Sequence, residues 1–324
     1  MSERPVVVVL GGSEHDPPPG IERAAGLAEI LEVPDAGALR AALPGADALF
    51  FWRAPKAWLE DAWPRAGGLR WIQSASDGVD GLLFPALAAS DVLVTNARGI
   101  FDEPIAEWAI GAIVAFATGL HRSILDTAVG RWDDDRTRGR VAGSRLLVVG
   151  PGPIGREVAR RARDLGMHVT LVGRAPREDE ALGQILGPDD LHDALGRADH
   201  VLDALPLTTE TRGMFDAAAF AAMKLGASFL NVGRGATVDE GALIDALRAG
   251  KVAAAALDVF VQEPLPASSP LWTMPNVIVS PHTCGDFEGW ERVVVELFVE
   301  NLGRFVRGEP LRNPVDASAG FGVG

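Results

Sequence analysis

The fold class that this sequence predicts is α/β, with two doubly wound parallel sheets, and three observations carry the prediction. Short apolar runs of strand length alternate with stretches of helical periodicity along most of the chain. A glycine-rich loop, Gly150-Pro151-Gly152-Pro153-Ile154-Gly155, stands between one such run and a helical stretch. The length of 324 residues is enough for two domains, each with its own core.

The first strand is Val6–Leu10. Pro17, Pro18, Pro19 and Gly20 then break the chain ahead of a helix over 21–31. Strands over 46–52, 69–73 and 92–95 complete the first sheet. Residues 103–129 read as one long helix, and its apolar positions, Ile105, Ile110, Ile113, Val114 and Leu120 among them, are too many for one surface stripe. It is therefore expected to be buried between domains or at a subunit contact. Residues 131–140 (RWDDDRTRGR) are highly charged and read by themselves as a solvated arm. Strands at Arg145–Val149, His168–Val172, 199–205, Ala227–Asn231, Val252–Leu257 and 277–280 form the second sheet. A helix over 288–306 closes the chain and returns to the first domain. The expected division is thus 1–100 with 286–324, and 101–285, with hinges near 100 and 285. No repeat of 20–50 residues is visible.

Glycines at 150, 152 and 155 fit the dinucleotide-binding spacing. The first allows a tight turn, the second lets backbone approach a pyrophosphate, and the third lets helix pack on strand. The following helix start, with Pro153 and Ile154, offers free N–H groups to phosphates. An NAD site usually has an acid about 20 residues further on, for the ribose 2′-hydroxyl. Here that place holds Gly173, followed by Arg174 and Arg177. An acid there would repel a 2′-phosphate, whereas a glycine leaves room and a neighbouring guanidinium can bind the phosphate, so NADP is expected in preference to NAD. The alternative is that Arg174 stacks on adenine and tolerates either cofactor.

Three chemically distinct residues follow apolar runs further along: Arg234 in Asn231-Val232-Gly233-Arg234-Gly235, Glu263 after Asp258-Val259-Phe260, and His282 in Ser280-Pro281-His282. The ends of such strands are where open α/β sheets bind ligands. An arginine clamps an anion through paired hydrogen bonds, a histidine moves a proton near neutral pH, and a carboxylate on its far nitrogen favours the imidazolium.

Composition bounds the remainder. A hydrophobic content of 48% with 23% charged residues describes an ordinary globular protein, expected to be soluble. The formal charge of −14 argues against nucleic acid and anionic membranes as partners. Cys284 is the single cysteine, which excludes an intramolecular disulfide and suits a reducing cytoplasm. No charged-then-apolar leader opens the chain, and the apolar stretch 108–118 is short of the roughly 20 residues that span a bilayer. No metal site is expected.

From about residue 46 to the end, the chain resembles the D-isomer-specific 2-hydroxyacid dehydrogenase family. The segments that carry the likeness are 73–80 (QSASDGVD), 95–99 (TNARG), Ala106-Glu107-Trp108, the glycine loop, 231–235, 257–264 and 280–282. The resemblance implies a Rossmann cofactor domain with a flavodoxin-like substrate domain. It implies that Arg234 binds the substrate carboxylate and carbonyl, that Glu263 holds His282, and that His282 is the acid/base. Asp258 would contact the nicotinamide end, with Val232, Gly233 and Gly285 near the cofactor. Backbone N–H groups of Ser76, Asp77, Gly78 and Val79 would receive the substrate carboxylate. The family usually has a small apolar residue at the place of Asp77, whose side chain is expected to point away or cap the following turn. Trp52 and Trp290 either line the substrate pocket or pack. Leu205, Pro206 and Thr211 lie where the family loop passes the cofactor, although Thr208 and Thr211 could equally cap a turn. The charged arm, anchored by Trp132, could reach across a homodimer. The implied activity is reduction of a small 2-oxo acid, such as glyoxylate or hydroxypyruvate, to the D-2-hydroxy acid. Rival readings are formate oxidation, against which Glu263 speaks, D-3-phosphoglycerate oxidation without a regulatory domain, and a dinucleotide-binding corepressor-like scaffold.

Overall fold

The structure, a computed structural model, describes residues 4–11, 17–135, 137–317 and 321–322, so Arg136 of the charged stretch lies outside the described residues. The chain divides into two compact units, Met1–Phe101 with Phe287–Gly324, and Asp102–Asp286.

The first unit is built on strands β1 (Val6–Leu10), β2 (Glu29–Val33), β3 (Ala48–Phe51), β4 (Trp71–Ser74) and β5 (Leu93–Thr95). They form one parallel sheet in the order β2-β1-β3-β4-β5, the doubly wound order. Side chains alternate across a strand, and here both faces are covered. Val8 and Leu10 enter one core with Leu39, Leu49 and Ile72, while Val7 and Val9 enter another with Phe50 and Trp71. Helices α1 (Ala36–Ala42), α2 (Lys56–Ala62) and α3 (Pro85–Ala88) connect the strands.

The helix expected over 21–31 is not there. A single 3₁₀ turn, Ile21–Ala24, is followed by β2, and the first α-helix begins at Ala36. Gly26 weakens a helix at that point, and Ile30 and Val33 suit a strand that completes the open edge of β1. Asp35 then caps α1, its Oδ1 accepting the N–H groups of Gly37 and Ala38 at 2.7 and 2.8 Å.

The second unit has strands β6 (Arg145–Val149), β7 (His168–Val172), β8 (Arg177–Asp179), β9 (Gly183–Leu186), β10 (His200–Asp203), β11 (Ala227–Asn231), β12 (Val252–Leu257) and β13 (Val277–Val279). Their order is β13-β12-β11-β10-β6-β7-β9-β8, parallel throughout except for the β8–β9 pair. That hairpin was not anticipated; Gly183, at φ 75°, turns the second strand back.

The long helix expected over 103–129 is two helices, α4 (Asp102–Thr118) and α5 (Leu120–Ala128), bent by 77° at Gly119. Gly119 adopts φ 73°, a conformation a helix interior does not have. α4 buries Ile105, Ala109 and Ile113 and packs on α6 (Pro153–Asp164) of its own unit. Its apolar character is thus explained within the second unit. No single helix among the described residues is long and apolar enough to cross a membrane.

Helices α7 (Leu191–Leu195), α8 (Ala217–Ala222) and α9 (Glu240–Arg248) complete the second unit, and α10 (Trp290–Arg307) returns to the first. There α10 covers one sheet face, with Phe298 stacked on Phe50 at 4.4 Å between ring centroids. Asn301 locks it: its buried side chain donates to Gln73 Oε1 at 2.9 Å and accepts the Arg312 N–H at 2.8 Å.

Candidate active site

In the second unit, β6, β10, β11, β12 and β13 run parallel, so the loops that leave them emerge at one edge of the sheet. The loop after β6 is the glycine turn. Gly150 has φ 100°, and a Cβ there would lie 2.6 Å from the Ala204 carbonyl oxygen. A Cβ on Gly155 would lie 2.1 Å from the Gly150 carbonyl oxygen, so only glycine lets α6 begin this close to the strand. Gly152 is the N-cap and Pro153 the first residue of α6, a helix start whose free N–H groups suit a phosphate. Glycines closed to any side chain, ahead of an uncapped twelve-residue helix, fit a dinucleotide pyrophosphate.

The loops after β11, β12 and β13 carry Arg234, Glu263 and His282, the three candidate residues. Asn231 organises the first: its Oδ1 accepts the Gly233 N–H at 2.9 Å, and its Nδ2 donates to the Arg234 carbonyl at 3.1 Å. Gly233 and Gly235 are pressed against the Leu205 and Phe260 main chains, where a Cβ would come within 2.5 and 1.9 Å. After β12, Glu263 accepts the Phe260 N–H through Oε1 at 2.9 Å and pairs through Oε2 with His282 Nδ1 at 2.8 Å.

His282 stands in the left-handed region at φ 57°, which costs a non-glycine residue about 1–3 kcal/mol. Asp258 holds that turn. Its main-chain oxygen accepts the His282 N–H at 2.8 Å, and its Oδ1 accepts the N–H groups of Thr283 and Cys284 at 2.9 and 3.0 Å and the Ser280 hydroxyl. Buried and spent on this turn, the Asp258 carboxylate fixes where the imidazole sits.

The electrostatics follow the geometry. The hydrogen bond to Glu263 raises the His282 pKa above the ordinary histidine value, against burial and the nearby Arg234 charge, which both lower it. Burial alone would raise the Glu263 pKa, but its hydrogen bonds from His282 and the Phe260 N–H leave it below the usual value. A protonated imidazole beside a guanidinium can hold a carbonyl oxygen and supply its proton. Burial against Asp258 pushes the Cys284 thiol far up, so it is no nucleophile.

Gly173 follows β7 in a closed environment. A Cβ there would lie 3.1 Å from Ile185 and Pro151 side-chain carbons and 3.3 Å from Arg177 Nη1. The glycine therefore opens no vacant space; the place of an acidic side chain is taken, and a guanidinium lies beside it. Past β10, the Thr211 hydroxyl donates to the Pro206 carbonyl at 2.6 Å and accepts the Thr208 N–H at 2.8 Å, the turn-capping arrangement.

In the first unit, the main chain of residues 76–79 follows β4. The Asn96 side chain donates to the Asp77 carbonyl oxygen at 2.6 Å and meets its carboxylate at 3.4 Å. Trp52 is 5% exposed, packed between Phe50 and Trp290 at 5.5 and 5.9 Å, with Arg53 over its ring at 5.3 Å. That is the packing alternative for Trp52; Trp290 stacks on it and meets Phe101 edge-on at 5.6 Å, remaining partly exposed.

Two residues escaped the sequence reading. Asp203 ends β10 fully buried, and Thr237 sits fully buried in the 3₁₀ turn Gly235–Thr237. The available signal was a lone acid at the end of an apolar strand run, Val201-Leu202-Asp203, beside the glycine turn.

Comparison with known proteins follows the same lines. Residues 110–284 match the D-isomer specific 2-hydroxyacid dehydrogenase, NAD binding domain. The D-3-phosphoglycerate dehydrogenase of Methanocaldococcus jannaschii is 34% identical over 260 residues, covering 79% of this chain and 49% of that protein. The chain thus spans about half the length of that relative. Glyoxylate/hydroxypyruvate reductase B of Citrobacter koseri is 35% identical over 254 residues, covering 76% of this chain and 78% of that one. The solved NADPH-dependent glyoxylate/hydroxypyruvate reductase of Sinorhizobium meliloti, in complex with NADP and sulfate, is 28% identical with a TM-score of 0.83, covering 98% of this chain and 100% of that chain. Fold, glycine turn and sequence agree: the chain belongs to the D-isomer specific 2-hydroxyacid dehydrogenase family of oxidoreductases, with its NAD-binding domain at residues 110–284.

Proposed function

We propose that the protein reduces a small 2-oxo acid of the glyoxylate or hydroxypyruvate type to the D-2-hydroxy acid, with NADPH preferred to NADH. The observation that carries the reading is the 2.8 Å contact between His282 Nδ1 and Glu263 Oε2, close to Arg234 and at the same sheet edge as the glycine turn. The dinucleotide, when bound, supplies the hydride. Gly150, Gly152 and Gly155 with the start of α6 would hold its pyrophosphate. Arg234 binds the substrate carboxylate and carbonyl and stabilises charge growing on the oxygen. Glu263 keeps Nδ1 of His282 occupied, so Nε2 faces the carbonyl oxygen and delivers the proton; in the reverse direction the neutral ring removes it.

Support for NADPH comes from Gly173, where Arg177 takes the place of an acid, and from the NADP complex of the Sinorhizobium meliloti relative. A homodimer is part of the same proposal, supported by an exposed apolar run on and after α5: Leu120, Ile124, Val129 and Trp132, the last 94% exposed. A cytoplasmic location rests on the single, buried thiol of Cys284. Oxidation of D-3-phosphoglycerate is the second reading, favoured by the 34% identity to the Methanocaldococcus jannaschii protein.

The test is NADPH and NADH consumption over a panel of 2-oxo acids, with D-3-phosphoglycerate oxidation measured alongside. Turnover of glyoxylate or hydroxypyruvate with NADPH, lowered roughly 10²-fold or more in kcat by His282→Ala, is the expected result. Dinucleotide binding without turnover of any member would replace this reading with a scaffold.

A further inference from the structure

Thr237 has one hydroxyl proton and two close acceptors. Its Oγ1 lies 2.5 Å from Asp203 Oδ2 and 2.6 Å from the Arg234 carbonyl oxygen. That carbonyl can only accept, and it already receives the Asn231 side-chain amide. With Asp203 ionised, one of the two short contacts would set lone pair against lone pair. Both are satisfied together only when a second proton is present, and the Asp203 carboxyl is the group able to carry it. Its other oxygen, Oδ1, accepts the Leu205 N–H at 3.0 Å.

The surroundings favour the neutral form. Asp203 is fully buried, and no basic side chain pairs with it among the described residues. Its register neighbours, Val149 on β6 and Asn231 on β11, are uncharged, and residues 204–206 (ALP) add no charge. The charged residue of the adjoining turn is Arg234, whose Nη1 is turned to the Gly233 carbonyl at 2.7 Å. On α4, which also packs on β11, the charged residues are Asp102, Glu103 and Glu107, the last two paired with Arg161. Burial pushes the Asp203 pKa up to about 7.

We propose that Asp203 works as a neutral carboxylic acid and is a positioning residue for Arg234: its proton goes to Thr237 Oγ1, whose own proton goes to the Arg234 carbonyl. The chain of two hydrogen bonds ties the turn that presents the guanidinium to the loop after β10, through Leu205. A neutral acid also avoids fixed negative charge beneath a site that must hold a carboxylate and a dinucleotide, both anions. The inference rests on the assignment of Arg234 as substrate clamp, but the protonation of Asp203 is tested without it.

Infrared difference spectra between the wild-type protein and Asp203→Asn at pH 6, without substrate, should show a protonated-carboxyl C=O band that the variant lacks. Absence of that band overturns the proposal. Asn at 203 keeps one acceptor and one donor, so the variant preserves the packing. In steady-state assays at pH 6, Thr237→Val should raise KM for glyoxylate about tenfold with kcat changed less than about threefold, and Thr237→Ser should restore it. An unchanged KM in Thr237→Val, or no rescue by serine, refutes the positioning role. Should no 2-oxo acid be turned over, the proposed activity fails while the infrared result still decides the state of Asp203.

Discussion

Replacing Asp203 by asparagine should stabilise the protein, and the gain should grow with pH. The carboxyl has a value of 3.8 in the unfolded chain and about 7 when folded, because burial penalises the anion. Between those values the folded state holds one proton more than the unfolded state, so stability falls as pH rises. The contribution is fully present below pH 3.8 and is lost as pH climbs through 7. A gap of about three pKa units is worth on the order of 4 kcal/mol. Over the usable window from about pH 5 to about pH 8, roughly 3 kcal/mol of that loss should appear in the wild type and not in Asp203→Asn. For a unit of this size, Tm moves by about 2–4 °C per kcal/mol, so the Tm difference between the proteins should widen by roughly 6–12 °C. Thermal unfolding of both proteins, followed by circular dichroism in buffers across that window, measures it. Every other titrating group is common to the two and cancels. Tm curves that run parallel would mean that Asp203 is already ionised at pH 5, and the proton count around Thr237 would be wrong.

Other outcomes follow from the same geometry. Glu263→Gln weakens the hydrogen bond, and removes the charge, that raise the His282 pKa, so the falling limb of the pH–rate profile for reduction should move to lower pH; an unmoved limb excludes the pairing as the cause. Gly155→Ala gains up to about 1 kcal/mol of helix propensity. It also places a Cβ 2.1 Å from the Gly150 carbonyl, and the displacement of α6 should cost about 1–3 kcal/mol. We expect a net loss of Tm with much weakened NADPH binding, read by fluorescence titration, and wild-type affinity would show that the turn does not hold the cofactor. Arg174→Ala and Arg177→Ala should each weaken NADPH much more than NADH, and equal losses for the two cofactors would remove the 2′-phosphate assignment.

What the sequence determined by itself was the part that rests on local chemistry. The spacing of Gly150, Gly152 and Gly155 between strand and helix is a local pattern of a few adjacent residues, and at Gly150 and Gly155 the structure shows the contacts that demand glycine. The alternation of apolar runs and helical periods was enough for the two parallel sheets. Arg234, Glu263 and His282 were legible as candidates, because few residue types can clamp an anion or carry a proton. Tertiary structure decided the rest, because it depends on partners far along the chain. Residues 29–33 became a strand because β1 offered an open edge, which no window around Ile30 reveals. The packing of Trp52 comes from Phe50 and from Trp290, more than two hundred residues away. Gly173 proved crowded because Pro151 and Ile185 converge on it. In the sequence Asp203 is only an acid at a strand end; burial with Thr237 and the Arg234 carbonyl, thirty-odd residues on, is what gives its proton a place and its carboxyl a use.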